Sequence, residues 1–144
     1  MNKFVYRFET VKNVKEKLEK KVQRELAVIE SQIEICKKDF NILLEEETRN
    51  KPNGKRRTKI SEINFNKGYE LYMVKRKNAV LHRIGGLNNQ KEKKITELVQ
   101  KSKEHKIFDT LEEKHREVFY EEQNKEENGV INEIAIQRFL RDQN

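Results

Sequence analysis

The stretch FVYRFETVKNVKEKLEKKVQRELAVIESQIEICKKDFNIL, residues 4–43, decides the fold. Its apolar residues fall at Phe4, Phe8, Val11, Val14, Leu18, Val22, Leu26, Ile29, Ile33, Cys36, Phe40 and Leu43. Every step is three or four residues, with a mean of about 3.55, between the coiled-coil repeat of 3.5 and the free-helix repeat of 3.6. Lys, Glu and Gln, all good helix formers, fill the positions between. No proline or glycine interrupts residues 1–51. The pattern predicts a helix over about residues 3–49.

Punctuation follows at once. Asn50, Pro52, Asn53 and Gly54 gather the only proline with turn-forming residues, and proline denies the α region to its predecessor. Residues 50–59 therefore read as a loop. A second seam runs Tyr69, Met73, Val80, Ile84, Leu87, Ile95, Leu98, Ser102, His105, Phe108, Leu111, His115 and Val118, which predicts a helix over about 60–127. Gly68 marks a small break near its start. The adjacent Gly85 and Gly86 each cost roughly 1 kcal/mol against alanine in a helix, so a bend is expected there. Asn128-Gly129 reads as a helix end, with Ile131, Ile134, Ala135, Arg138 and Phe139 forming an amphipathic tail over about 130–141. The expected architecture is all-α: one long antiparallel two-helix coiled-coil hairpin forming a single domain over residues 1–144. The second helix overruns the first and leaves an overhang in want of a partner.

Composition agrees. Of the 144 residues, 34% are apolar and 40% charged, against about 25% charged in ordinary globular domains. Such a chain cannot fill a thick core, which excludes a sandwich, a barrel or a doubly wound sheet. Net charge is +7, and the nine residues 51–59 hold five basic groups and no acid. The flanks are salt-balanced, as solvated helix faces are, whereas a duplex-binding stripe spreads its charge along a face. That argues against nucleic acid as a partner. The single cysteine excludes an internal disulfide framework, and no run approaches the roughly 20 apolar residues of a membrane span. The charged opening residues are unlike a secretory signal, so a soluble intracellular protein is expected.

Chemistry-bearing motifs do not assemble. Gly54-Lys55 lacks the glycine-rich cradle and the Ser/Thr of a phosphate-binding loop. Glu112-x-x-His115 has the spacing of a di-iron ligand pair, but it occurs once where two copies and two further glutamates are needed; a solvated face is the expectation. Cys36, between Ile33 and Phe40, reads as a packed small hydrophobe. No catalytic residue, metal ligand, cofactor or small-molecule substrate is expected, and the chain reads as a non-enzyme.

The opening Phe4-x-Tyr6-Arg7-Phe8-Glu9-Thr10-Val11, followed by Val14-Lys15-Glu16 and Gln23-Arg24-Glu25-Leu26-Ala27, resembles the FliJ family of the bacterial flagellar type III export apparatus. Further likeness lies at Tyr69-x-x-Tyr72, at Lys103-Glu104-His105-Lys106 and at Asn132-Glu133-x-Ala135-x-x-Arg138-Phe139. Phe8 stands where leucine is usual, and Asn13 and Lys15 depart from the Leu-x-Leu-Arg core. The resemblance implies a coiled-coil stalk, similar to the central stalk of rotary ATPases. It would bind the hexameric export ATPase, contact the membrane-embedded export gate and take up export chaperones. It implies a cytoplasmic protein, peripheral on the cytoplasmic side of the membrane. The gate surface would map to Tyr69, Tyr72, Arg76, Ala79 and Arg83, whose steps of 3, 4, 3 and 4 form one helical stripe. The ATPase contact would lie at the chain ends: Phe4, Arg7 and Phe8 with Arg138 and Phe139. The plain alternative packs Phe4, Phe8 and Phe139 on one another. Two other readings stand beside this one: a basic coiled coil binding nucleic acid through residues 51–59, and a stalk homologue of a type III injectisome.

Overall fold

In the computed structural model, which describes residues 2–50 and 59–143, two long helices pack against each other. They are α1 (Glu9–Arg49) and α2 (Ile60–Asp142). No strand occurs among the described residues, so the expected all-α helical hairpin is what forms. Residues 51–58, most of the expected basic loop, lie outside the described residues. By contact the chain divides into two compact units. One unit is Lys20–Val99; the other joins the chain up to Glu19 with the chain from Gln100 onward.

The unit Lys20–Val99 is held by aliphatic packing. Ile29, Ile33 and Cys36 of α1 bury against Leu87 of α2, with Val80 and Ile84 packed on them. Val22, Leu43 and the fully enclosed Met73 are also buried. Each such side chain contributes about 1.5–3 kcal/mol when fully withdrawn from water. Ion pairs border the seam: Lys94 with Glu25, Lys91 with Glu30 and Lys77 with Glu47. Partner numbers rise on one helix as they fall on the other, which fixes the antiparallel sense. Cys36 is a core residue here, 4% exposed.

In the second unit the seam changes chemistry. Val11 and Val14 are exposed, although their spacing suggested burial. Lys12, Lys15 and Glu19 take the half-buried positions instead, facing acids and a histidine on α2. On α2, Ile95 and Val118 likewise lie outside the seam in their respective units. Long lysine stems cover apolar surface while their ammonium groups reach a carboxylate, and a reading of apolar letters alone passes over them.

Three boundaries differ from expectation. Helix α1 begins at Glu9 rather than near residue 3; the residues before it form no regular element and pack their aromatics on α2. Gly68 and the Gly85-Gly86 pair lie within unbroken helix. Asn128-Gly129 does not end α2, which runs on to Asp142, so the tail over 130–141 is no separate element. Continuing a helix through one glycine costs about 1 kcal/mol, whereas ending it and restarting requires a second, unfavourable nucleation.

A Cβ added at Gly85 or Gly86 meets nothing within 4 Å. The double substitution Gly85→Ala, Gly86→Ala should therefore stabilise the helix by about 1 kcal/mol per site and raise the melting temperature by a few degrees in a circular-dichroism melt. A lower melting temperature would show that α2 needs a bend at this point.

Candidate functional site

The N-terminal segment is built on alternation. Phe4, Tyr6 and Phe8 are two residues apart, so in an extended chain they share a side. Tyr6 is buried and its hydroxyl donates to the Phe108 carbonyl at 2.9 Å; a carbonyl in mid-helix keeps a second lone pair for such a donor. Phe4 stacks on Phe119, with ring centroids 5.5 Å apart and the Arg116 guanidinium over its ring. Phe8 packs edge-on to Phe108 and beside His115. Val5, on the opposite side, is 78% exposed. The backbone then turns at Arg7-Phe8, and the Lys12 N–H donates to the Phe8 carbonyl as the first helical bond. Glu9 in the first turn suits the positive end of the helix dipole.

Below the aromatics lies a ladder of charges within the same unit. Lys12 donates to Glu112 and also approaches Asp109. Lys15 donates to Glu104 at 3.1 Å. His105 sits between two carboxylates, Nδ1 at 2.7 Å from Glu19 and Nε2 at 3.5 Å from Asp109. Hydrogen bonding from Lys12 lowers the Glu112 pKa, and the same bond raises that of Lys12. Hydrogen bonding from Lys15, then from Gln100, lowers Glu104. In the other unit, Lys94 lowers Glu25 and is itself raised through its bonds to Glu25 and Glu97. Desolvation, reinforced by Glu112, raises the Tyr6 phenol.

Glu112-x-x-His115 is thus absorbed into structure. Glu112 holds Lys12 and accepts from Arg116, while the His115 ring lies against Tyr6 and Phe8. The solvated face expected for this pair is replaced by an interhelical contact. Among the described residues no group of three or more His, Cys, Asp or Glu is placed to hold a metal ion, and no helix is long and apolar enough to cross a membrane.

The two sets of sequence-derived candidates fare differently. On α2, Tyr72, Arg76, Ala79 and Arg83 are exposed, with the Arg76 guanidinium 5.6 Å from the centre of the Tyr72 ring. Tyr69 is half-buried, its hydroxyl accepting from the Asn50 amide at 3.0 Å. At the chain ends, Arg7 is exposed and Phe4 and Phe8 are half-buried against α2. Arg138 and Phe139 are exposed, Phe139 by 63%. Phe4 contacts Phe119, which is 20 residues and about 30 Å of helix from Phe139. The three phenylalanines therefore do not form one cluster. The residue that sequence reasoning missed is Tyr6. Its signal was present in the alternation of Phe4, Tyr6 and Phe8.

Past Phe119 the described part of α2 is helix to Asp142, and Val130, Ile131, Ile134, Ile136, Phe139 and Leu140 are all exposed. The model of one family, described as Flagellar FliJ protein, matches residues 3–144. No curated protein and no solved structure matches.

The ion ladder sets a pH dependence. Glu25, Glu104 and Glu112 have folded pKa values below the ordinary 4.5, so their contribution is present above that pH and lost as pH falls through the depressed values. Lys12 and Lys94 are raised above 10.5; their contribution is present below that pH and lost as pH rises past the raised values. Thermal stability should fall as pH drops through the first limit and as it rises past the second. The variant Glu104→Gln, Glu112→Gln should melt lower at pH 7 and show a shallower acid decline than the parent protein. An unchanged acid limb would show that other carboxylates govern it.

Proposed function

The chain belongs to the flagellar FliJ family, which makes it a component of the flagellar export apparatus, and we propose that it works there as a non-enzymatic stalk. In this reading it binds the hexameric export ATPase through its chain ends, couples that ring to the membrane export gate and receives export chaperones. It works on the cytoplasmic side of the membrane. The single observation that supports it best is the end of α2. More than 20 residues of continuous helix beyond Phe119 carry apolar side chains on several sides and leave them open to solvent. A soluble protein rarely leaves such a surface bare unless a partner covers it. A slender helical projection is a shape that a ring-shaped partner can surround.

The exposed Tyr72–Arg76 pair supports the gate contact. Tyr and Arg are enriched at binding hot spots, and an arginine resting on an aromatic face is held in place before a partner arrives. Nucleic-acid binding draws no support from the helices, where Lys12, Lys15, Lys77 and Lys94 are engaged by carboxylates.

Two measurements test this. Adding the protein to the export ATPase should raise ATP hydrolysis and hexamer formation, and Arg138→Ala with Phe139→Ala should remove most of that effect while leaving helicity intact. No effect of the unaltered protein on rate or assembly would count against the stalk. Separately, Tyr72→Ala with Arg76→Ala should weaken binding to the gate's cytoplasmic part at least tenfold, with the melting temperature nearly unchanged. Normal gate binding by this variant would remove the stripe from the interface.

A further inference from the structure

The overhang of α2 carries a pattern that its place beyond Phe119 does not explain. Tyr120, Asn124, Glu127, Ile131, Ile134, Arg138 and Arg141 follow one another in steps of 4, 3, 4, 3, 4 and 3, the spacing of a coiled-coil seam. All seven are exposed. Val130 and Ala135 flank the two central isoleucines on the same side of the helix, since residues three and four apart are neighbours there. A groove of about 710 Å³ adjoins this stripe, bordered by Asn2 of the N-terminal segment and lined on α2 by Phe119, Gln123, Glu127, Val130 and Ile131. Among the described residues no second helix covers the stripe; the N-terminal segment meets α2 at Phe119 and borders the groove with Asn2.

We infer that this stripe pairs with the same stripe of a second copy of the chain, antiparallel, about a two-fold axis between Ile131 and Ile134. The chemistry of the segment selects this occupant. When Ile131 of one copy faces Ile134 of the other, the same register sets Val130 opposite Ala135, Glu127 opposite Arg138 and Asn124 opposite Arg141. The apolar residues meet in the middle. An acid meets a base on each side of them, twice over by symmetry. In a parallel pair, Glu127 would face Glu127 and Arg138 would face Arg138, and like charges at such positions repel. The segment is therefore complementary to itself in one orientation. Only a few turns take part, so the interface falls below the roughly 1,200 Å² of stable complexes, and the dimer is weak and reversible. Its surface overlaps the end proposed to meet the ATPase, so the free chain covers Val130, Ile131 and Ile134 and exposes them on dissociation. The pairing itself does not depend on the stalk reading.

Sedimentation of the full chain, alone, over a concentration series at low salt tests the pairing. The protein should pass from monomer to dimer, and added salt should weaken the dimer. Arg138→Glu or Glu127→Arg alone should weaken it at least tenfold. The double variant Glu127→Arg, Arg138→Glu should return it to within about twofold of the parent. Rescue can arise only between copies, because the two positions are 11 residues and about 16 Å apart along one helix. Circular dichroism confirms that each exposed substitution leaves the helices formed. The inference is overturned by a protein that stays monomeric throughout, by a double variant no better than the singles, or by a tail that only the ATPase or an anionic vesicle engages.

Discussion

Two helices touch along a single line, and everything else in this protein follows from how little that line can bury. A fully enclosed aliphatic side chain contributes about 1.5–3 kcal/mol, while an exposed ion pair contributes about 0–1 kcal/mol. In the unit Lys20–Val99 the line is aliphatic, around Ile29, Ile33, Cys36 and Leu87, and ion pairs only border it. In the unit holding the N-terminal segment, lysines, carboxylates and His105 occupy the line itself. That unit compensates with aromatics. Tyr6, the one residue of the segment that is fully buried, is locked by a bond to the backbone of α2.

On α2 the residues that hold the helices together and the residues left in solvent are different ones. Met73 and Leu87 face inward while Tyr72 and Arg76, on the same helix, face solvent. The last stretch of α2 takes no part in the seam, and its apolar side chains remain available for contacts outside the chain.

Much of this was legible in the letters, and the failures have physical causes. From Val22 to Leu43 the steps of three and four fall on apolar residues, and the buried set there is nearly the one they mark. Phe4 and Phe8 mimic the same step, yet they belong to an alternating Phe4-Tyr6-Phe8 segment; a spacing of four contains two spacings of two. Val11, Val14 and Ile95 share the seam's spacing, yet the half-buried lysines beside them, Lys12, Lys15 and Lys94, do the covering that an apolar count does not see. The glycines at 85, 86 and 129 are weak local penalties that an established helix overrides. The family resemblance places the gate stripe at Tyr69–Arg83, and its two arginines argue for an exposed face; the resting of Arg76 on the Tyr72 ring needed coordinates.

The seam holds the two helices together, and in the proposed stalk reading the end of α2 is the part that meets the export ATPase. Amide hydrogen exchange on the dilute protein, alone and with the ATPase hexamer, tests it most directly. On this account the amides around Ile29–Cys36 and Leu87 exchange slowly in both states. Those of residues 120–142 exchange fast in the free protein and slow sharply when the ATPase is added. Slow exchange over 120–142 in the dilute free protein, or protection by the ATPase only elsewhere in the chain, would contradict it.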